Sequence, residues 1–291
     1  MNFSFVKHSK IWYVVSGVLI IGSIIAIGLF GFNFGIDFTG GSIIEIKFQN
    51  RPSVDEARGI LASTGHDYAV VQPTGDSEMI IRLDALDESA HQAVLAAFKA
   101  KDSGLAEMQF NSFGPSVGSE LRKKTVTGIV VTLILIGIFI AWSFRKVSEP
   151  VKSWKYALLT VLCGFHDVIV PMGVFAILGH FCGWQIDTAF VAAVLTILGY
   201  SINDTIVVFD RTRENLRRLS CSFSETVDKS IQQTLFRSVY SSLTTILALV
   251  AIFVWGGETT QPFALALAIG IGVGTYSSIF IASPLLVTWE G

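Results

Sequence analysis

The chain of 291 residues is 51% hydrophobic and only 15% charged, with a formal net charge of −2 at pH 7. These proportions are extreme for a soluble domain and are typical of a membrane protein. A net charge so close to zero gives no reason to expect nucleic acid as a partner. The three cysteines have no metal-like spacing and indicate neither a disulfide nor a metal site.

Six segments are long and apolar enough to cross a bilayer, which takes about 20 predominantly apolar residues. They are residues 11–30, 125–144, 156–178, 188–209, 237–255 and 263–289. The first is too long for the apolar core of a signal peptide and lacks a small-residue cleavage site. We therefore expect residues 1–30 to hold the N-terminus and first span, and residues 121–291 to hold the other five.

Lysine and arginine concentrate in three regions that a six-span topology places on one side of the membrane. They are Lys7, Lys10, Arg145, Lys146, Lys152, Lys155, Arg211, Arg213, Arg217, Arg218 and Lys229. The positive-inside rule predicts that this side, with both termini, is cytoplasmic. Arg122, Lys123 and Lys124 disagree, but they follow a long translocated segment, where the rule is weak.

Residues 31–120 form an acidic insert after the first span, with 13 Asp and Glu against 6 Lys and Arg. Strands are predicted at 42–49, 68–73, 78–83 and 105–113. Helices are predicted after Ser53 and Asp87, which suit the N-cap position. The order βαββαβ is the ferredoxin-like pattern. The predicted fold class is an α-helical polytopic membrane protein, a six-span bundle with a small α+β domain outside the membrane.

The loop at 210–236 is long and basic, and part of it is amphipathic. Leu216, Leu219, Phe223 and Val227 recur at helical spacing. The pattern favours a helix that lies on the inner membrane surface or against a partner. A plain solvated connector fits the sequence equally well.

The fourth span contains an aspartate, Asp204, near its inner end. An ionised carboxylate in hydrocarbon costs at least about 3 kcal/mol, so it must be paired, neutral, wet or functional. Thr196 and Tyr200 share its helical face at intervals of four residues. Arg237 opens the fifth span from the same side and is long enough to reach the carboxylate. The pair is either a structural ion pair or a protonatable acid with a basic partner.

Other polar residues accompany this acid in the fourth and fifth spans. They are Tyr200, Asn203, Thr205, Ser241 and Thr244. The third span adds His166 and Asp167, about ten residues from either end. They form either a proton relay, since histidine titrates near about pH 6.5, or a hydrogen-bonded packing pair. The sequence leaves both interpretations open.

A glycine-rich stretch, GFNFGIDFTGGS at 31–42, follows the first span. Its glycines permit tight turns, and its Asp and Thr can bond local amides. The residues concerned are Gly35, Asp37, Thr39, Gly40 and Gly41. No helix is expected to start here and no GxxxxGK[ST] motif occurs, so no nucleotide site or ATPase activity is indicated. In the last span, Gly270 and Gly274 indicate close helix packing, within the bundle or between subunits.

Five stretches spread in order along the chain resemble the SecF family. They are GIDFTGGS (35–42), GPSVGSEL (114–121), FHDV (165–168), SINDTIVVFDRTRENLR (201–217) and RSVYSSLTTILALVAIF (237–253). SecF is the smaller half of the bacterial SecDF translocon accessory complex, within the resistance-nodulation-division superfamily. The combination of NDTIVVFDR with GIDFTGG is the most specific part of the resemblance.

The resemblance implies a location in the bacterial cytoplasmic (inner) membrane and a complex with SecD, which supplies six further spans. It also implies association with SecYEG, YajC and YidC, and a functional link to SecA. In the family, proton flow drives periplasmic movements that help to export a translocating polypeptide. The family's intramembrane acid and arginine match Asp204 and Arg237, and Asp167 matches a further acid. The coupling ion is expected to be a proton or sodium, with no other cofactor and no metal.

Two alternatives remain. The chain is either a translocon scaffold without proton conduction of its own or a half-size exporter of the same superfamily. Six spans and one domain of about 90 residues argue against the exporter, which usually has twelve spans. Many members of the family also continue into a basic cytoplasmic tail, whereas this sequence stops at Gly291, so the tail is absent or was cut.

Overall fold

The computed structural model describes residues 4–145, 151–257 and 260–290. Lys146 and Gly291, which enter the predictions above, lie outside the described residues. Contacts between residues divide the chain into two compact units. One unit comprises Met1–Asn33 and Thr127–Gly291, and the other comprises Phe34–Val126. The bounds of the second unit are close to those of residues 31–120, which were expected to form the insert.

The elements follow one another along the chain as listed here. They are α1 (Ser9–Phe30), α2 (Ile36–Thr39), β1 (Gly41–Lys47), α3 (Val54–Ser63), β2 (Val70–Thr74), β3 (Glu78–Leu83), α4 (Glu88–Lys99), β4 (Ala106–Phe113), α5 (Pro115–Ser143), α6 (Ser153–Cys182), α7 (Thr188–Arg218), α8 (Phe223–Trp255), α9 (Gln261–Ser277), a π-helical turn (Ser278–Ala282) and α10 (Ser283–Glu290). Six helices among the described residues are long and apolar enough to span a membrane, with α9, the π turn and α10 forming the last.

The last span lies at the centre of the first unit, where α9 contacts α6, α7 and α8. Its glycines allow this approach. A Cβ atom on Gly270 would lie 2.2 Å from Ile197 Cδ1, and one on Gly274 would lie 2.8 Å from Ser201 Cβ. The interpretation of these glycines as packing residues within the bundle is confirmed. Their effect is to bring the backbone of α9 against the polar part of α7.

The second unit has the ferredoxin-like fold that the sequence predicts. Its four antiparallel strands are ordered β2-β3-β1-β4. Ile44, Ile81 and Phe98 belong to the buried core beneath them. Ser53 closes a capping box with Glu56 at the start of α3. Asp87 accepts the Ala90 N–H at 2.8 Å at the start of α4. Both predicted caps are therefore present.

The glycine-rich stretch differs from the prediction, because a one-turn helix, α2, does start there. Thr39 Oγ1 donates to the carbonyl oxygens of Gly35 and Gly40, each at 3.1 Å, so it bonds local carbonyls and not amides. Gly40 has φ +80°, and a Cβ there would lie 2.8 Å from Pro115 Cα at the start of α5. The stretch therefore fixes the turn that ends α2 against the first residues of α5.

The loop at 210–236 also differs from the prediction. The structure has no separate surface helix among these residues, because α7 continues to Arg218 and α8 already begins at Phe223. Leu219 ends α7 with extended backbone angles, so the helical spacing of the four apolar residues is interrupted. Ser222 restarts the helix through a capping box. Val227 is fully buried in a cluster of the first unit, which explains the apolar residues of the loop.

The tight contact at Gly40 leads to a prediction about stability. Gly40→Ala should lower the free energy of unfolding of the second unit by about 1–3 kcal/mol, since its backbone conformation is essentially restricted to glycine. Hydrogen exchange of the β1 and β4 amides in the intact protein measures this change. Gly59→Ala is the matched control: it lies inside α3 with no atom within 4 Å of the new Cβ. The control should raise the free energy of unfolding of the second unit by about 0.5–1 kcal/mol. Equal losses of stability in both variants would contradict the account.

Candidate functional site

Asp204 is a buried and half-satisfied acid in the middle of α7. Only 7% of the residue is exposed. Its Oδ1 accepts a short hydrogen bond from Ser238 Oγ on α8. Its Oδ2 is buried and has no hydrogen-bond partner among the described residues. A buried ionised carboxylate normally accepts several bonds, so the free oxygen marks a position where a proton, a cation or water would find an acceptor.

Arg237 does not contact this carboxylate directly. Neither a hydrogen bond nor an ion pair within 4.0 Å joins it to Asp204 in the part of the chain that the structure describes. Successive residues of a helix point about 100° apart, so the Ser238 side chain faces α7 and the Arg237 side chain does not. Arg237 is exposed on the outer face of α8. The direct pairing of Arg237 with Asp204 that the sequence predicted is not present among the described residues, and Ser238 is the donor instead.

Asp167 on α6 is a second buried acid, and hydrogen bonds satisfy both of its oxygens. No part of the residue is exposed. Oδ1 lies 2.7 Å from His166 Nδ1. Oδ2 accepts from Ser277 Oγ at 2.7 Å and from Ser201 Oγ. The acid therefore ties α6 to α7 and α9. Opposite an ionised carboxylate, which only accepts, this contact places the His166 proton on Nδ1. Nε2 of His166 is buried with no partner among the described residues.

Of the predicted supporting residues, two reach another helix. Thr205 is fully buried, and its Oγ1 lies 2.9 Å from Ser278 Oγ. Tyr200 donates to Ser242 Oγ at 3.4 Å. Ser241 and Thr244 are exposed, and in the described structure their hydroxyls bond only to carbonyl oxygens of their own helix. Asn203 is exposed as well. Thr196, predicted on the same face as Asp204, is exposed and bonds the Ala192 carbonyl oxygen.

Sequence analysis missed the residues that bond the two acids most directly. They are Ser201, Ser238 and Ser277. Ser278 bonds Thr205, the residue after Asp204. A signal exists for two of them. Ser201 precedes Asp204 by three residues on α7, and Ser238 follows Arg237. Ser277 lies three residues after Gly274, which brings α9 close to α7, but only the packed helices show that it meets Asp167.

The fold and the site together define a class of protein. Six apolar helices among the described residues, a ferredoxin-like insert and two acids buried among hydroxyl groups describe a polytopic α-helical membrane protein with a small α+β unit. No group of three or more His, Cys, Asp or Glu among the described residues is arranged to hold a metal ion. A buried carboxylate with an oxygen that lacks a described partner can accept a proton or a small cation.

Two family models match the chain. The model for the C-terminal part of the protein export membrane proteins SecD and SecF matches residues 93–291. The SecD/SecF GG motif matches residues 25–50, which include α2 and its flanking glycines. The first match covers more than half of the chain and includes both buried acids.

Curated relatives agree with these models. The protein translocase subunit SecF of Thermobaculum terrenum is 42% identical over 98% of this chain and 93% of its own. The Vibrio alginolyticus protein of the same name is 38% identical over 97% and 88%. The chain belongs to the SecF family.

Solved structures show the same fold. The crystal structure of SecDF, a translocon-associated membrane protein from Thermus thermophilus, matches with a TM-score of 0.84 at 33% identity. A SecDF structure in a super-membrane-facing form matches with a TM-score of 0.70 at 34% identity. Each match covers 100% of this chain but only 39% of the solved chain. The solved proteins therefore contain a large part that has no counterpart here.

The contact between Ser238 and Asp204 leads to a second prediction. Ser238→Ala leaves both oxygens of Asp204 without a donor among the described residues, which should cost about 1–3 kcal/mol of folding free energy. Thermal unfolding of the purified protein in detergent measures the loss. Ser241→Ala is the matched control on α8, since its exposed hydroxyl bonds only the Ser238 carbonyl oxygen. The control should change stability by no more than about 0.5 kcal/mol, and two equal losses would contradict the prediction.

Proposed function

We propose that this protein is the SecF subunit of a SecD–SecF complex that assists protein export across the bacterial cytoplasmic membrane. In this proposal, movement of protons through the membrane unit drives movement of the unit Phe34–Val126, which acts on the exported polypeptide on the outer side. Both termini and the basic residues of the α7–α8 connection lie in the cytoplasm. The observation on which the proposal depends is the buried Asp204 carboxylate with one unpartnered oxygen.

An aspartate placed in this way suits reversible ion binding. Ser238 donates to one oxygen and holds the side chain in place. The free Oδ2 offers a binding position without the need to break an existing bond. A charge kept inside a membrane-spanning helix at a cost of several kcal/mol is, in general, more often functional than structural. Asp204 is therefore the proposed site of proton binding, and sodium is the alternative coupling ion.

The outer face of α8 supports a partner subunit. Arg237 and Tyr240 are exposed there, as are Ser241 and Thr244. Lipid tails do not solvate a guanidinium, so the exposed Arg237 side chain is expected to meet polar groups of another protein. The solved relatives named SecDF contain a further part that matches no residue of this chain. We assign this face to SecD, and Arg237 to the proton path at that interface.

The energy of one proton sets the size of each step. A charge that crosses 100 mV supplies about 2.3 kcal/mol. This energy shifts a two-state equilibrium by about 50-fold, since each factor of ten takes about 1.4 kcal/mol. One proton is therefore sufficient to bias a domain movement but not to unfold a stable passenger. Repeated small movements follow from this limit. In the proposed assembly with SecYEG, YajC and YidC, they take place after SecA has acted.

Substitution of the acid tests the proposal. Asp204→Asn should abolish the part of protein export into inverted vesicles that depends on the proton gradient, while the complex with SecD still assembles. Collapse of the proton and sodium gradients in separate experiments identifies the coupling ion. Proton dependence is expected for the unsubstituted protein.

Asp210→Asn is the matched control for this experiment. Asp210 lies on the same helix, but it is exposed and forms an ion pair with Arg213 at 2.7 Å. The control should export at the level of the unsubstituted protein. Unchanged proton-dependent export in Asp204→Asn would overturn the proposed function.

A further inference from the structure

Two consecutive serines, the last residue of α9 and the first of the π-helical turn, connect Asp167 to the residue that follows Asp204. Ser277 Oγ donates to Asp167 Oδ2 at 2.7 Å. Ser278 Oγ lies 2.9 Å from Thr205 Oγ1, and Thr205 directly follows Asp204 in the chain. One short stretch of the last span is thus bonded both to the α6 acid and to the neighbour of the α7 acid.

A second connection runs along α7. Ser201 Oγ donates to the same Oδ2 of Asp167. Ser201 precedes Asp204 by three residues, which corresponds to a rise of about 4.5 Å along the helix. Its carbonyl oxygen accepts from Ser278 Oγ at 3.4 Å. Ser201, Thr205 and the two serines of the last span are at most 1% exposed, so they form one packed polar layer.

We propose that Ser277 and Ser278 are positioning residues that couple the Asp167 centre to Asp204. The proposal rests on the proposed function, in which Asp204 binds and releases the coupling ion. In this proposal, Asp167 does not transfer the ion to Asp204 through a continuous chain of hydroxyl groups. The state of Asp167 instead sets the geometry around Asp204 through the two serines.

The hydrogen bonds give the physical reason. Oδ2 of ionised Asp167 accepts the hydroxyls of Ser201 and Ser277 together. A proton on this oxygen makes it a donor, so at least one of the two hydroxyls must turn away. A displacement of Ser277 also moves Ser278, because the two are adjacent in the backbone. Ser278 holds Thr205, and a π-helical turn in this position is typical of functional sites in helices.

Several titratable groups surround Asp167 among the described residues. His166 Nδ1 lies 2.7 Å from its Oδ1. Cys163 lies one turn earlier on α6, and Asp204 lies across the packed layer on α7. The Tyr276 ring is centred 6.4 Å from the His166 ring. A pH profile of the coupling reports the titration of all these groups together. The informative variants are therefore those that leave Asp167 and the four surrounding groups unchanged.

A double-mutant cycle on the Thr205–Ser278 bond tests the coupling. Thr205→Val keeps the shape of the side chain and removes the hydroxyl, and Ser278→Ala removes the other partner. Each should lower the proton-dependent export rate of SecD–SecF vesicles by about 2- to 10-fold and shift its pH midpoint, since one buried hydrogen bond is lost. The double variant should match the single variants, because all three lack the same bond. Thr205→Ser keeps the hydroxyl, so it should retain the export rate and the pH midpoint of the unsubstituted complex.

Ser283→Ala is the control for a lost hydroxyl in the same segment. Ser283 is fully buried, and its hydroxyl donates only to the Ser278 carbonyl oxygen in the described structure. It should keep the pH midpoint of the unsubstituted complex. If Asp204→Asn abolishes proton-dependent export but Ser278→Ala and Thr205→Val behave like Ser283→Ala, or if their effects add, the coupling is overturned and the proposed function stands. If Asp204→Asn exports normally, both are overturned.

Discussion

The cost of burying carboxylates among apolar helices governs the membrane unit of this protein. Two acids lie inside the bundle, and the described hydroxyl groups that contact them belong to serines of three different helices. Small residues are required for this arrangement. Gly270 and Gly274 let α9 approach α7 closely enough for short serine side chains to reach across. The close packing of the helices therefore also supplies the hydrogen bonds that the buried acids need.

The two acids differ in how completely their oxygens are hydrogen-bonded. Asp167 accepts bonds at both oxygens and holds α6, α7 and α9 together. Within the described part of the chain, Asp204 has one donor and one oxygen without a partner. A fully bonded acid is rigidly connected to its neighbours, so a change at Asp167 is passed on to them, whereas the free oxygen of Asp204 can take up a ligand without breaking a bond. The sequence left a relay and a packing pair open for His166 and Asp167, and the hydrogen bonds favour a centre that positions its neighbours.

Much of the fold was accessible from the sequence, because it follows from local patterns. Apolar length predicted the six spans, alternation predicted the strands, and Ser53 and Asp87 marked helix starts. The break at Leu219 and the short helix α2 were missed, since both depend on local capping and tight packing that periodicity does not record. Within the site, the acids were evident as charges in apolar helices. Their donors were not, since a buried serine looks like any other small residue until the neighbouring helix is known.

The central claim is that Asp204 binds and releases a proton in the assembled complex. Difference infrared spectroscopy on the SecD–SecF complex in lipid tests it directly, through the carbonyl stretch of a protonated carboxylic acid. The account predicts a band that appears and disappears reversibly as the pH is cycled, and that is missing in Asp204→Asn but retained in Asp210→Asn. A spectrum without such a band, or a band that persists in Asp204→Asn, would contradict the account.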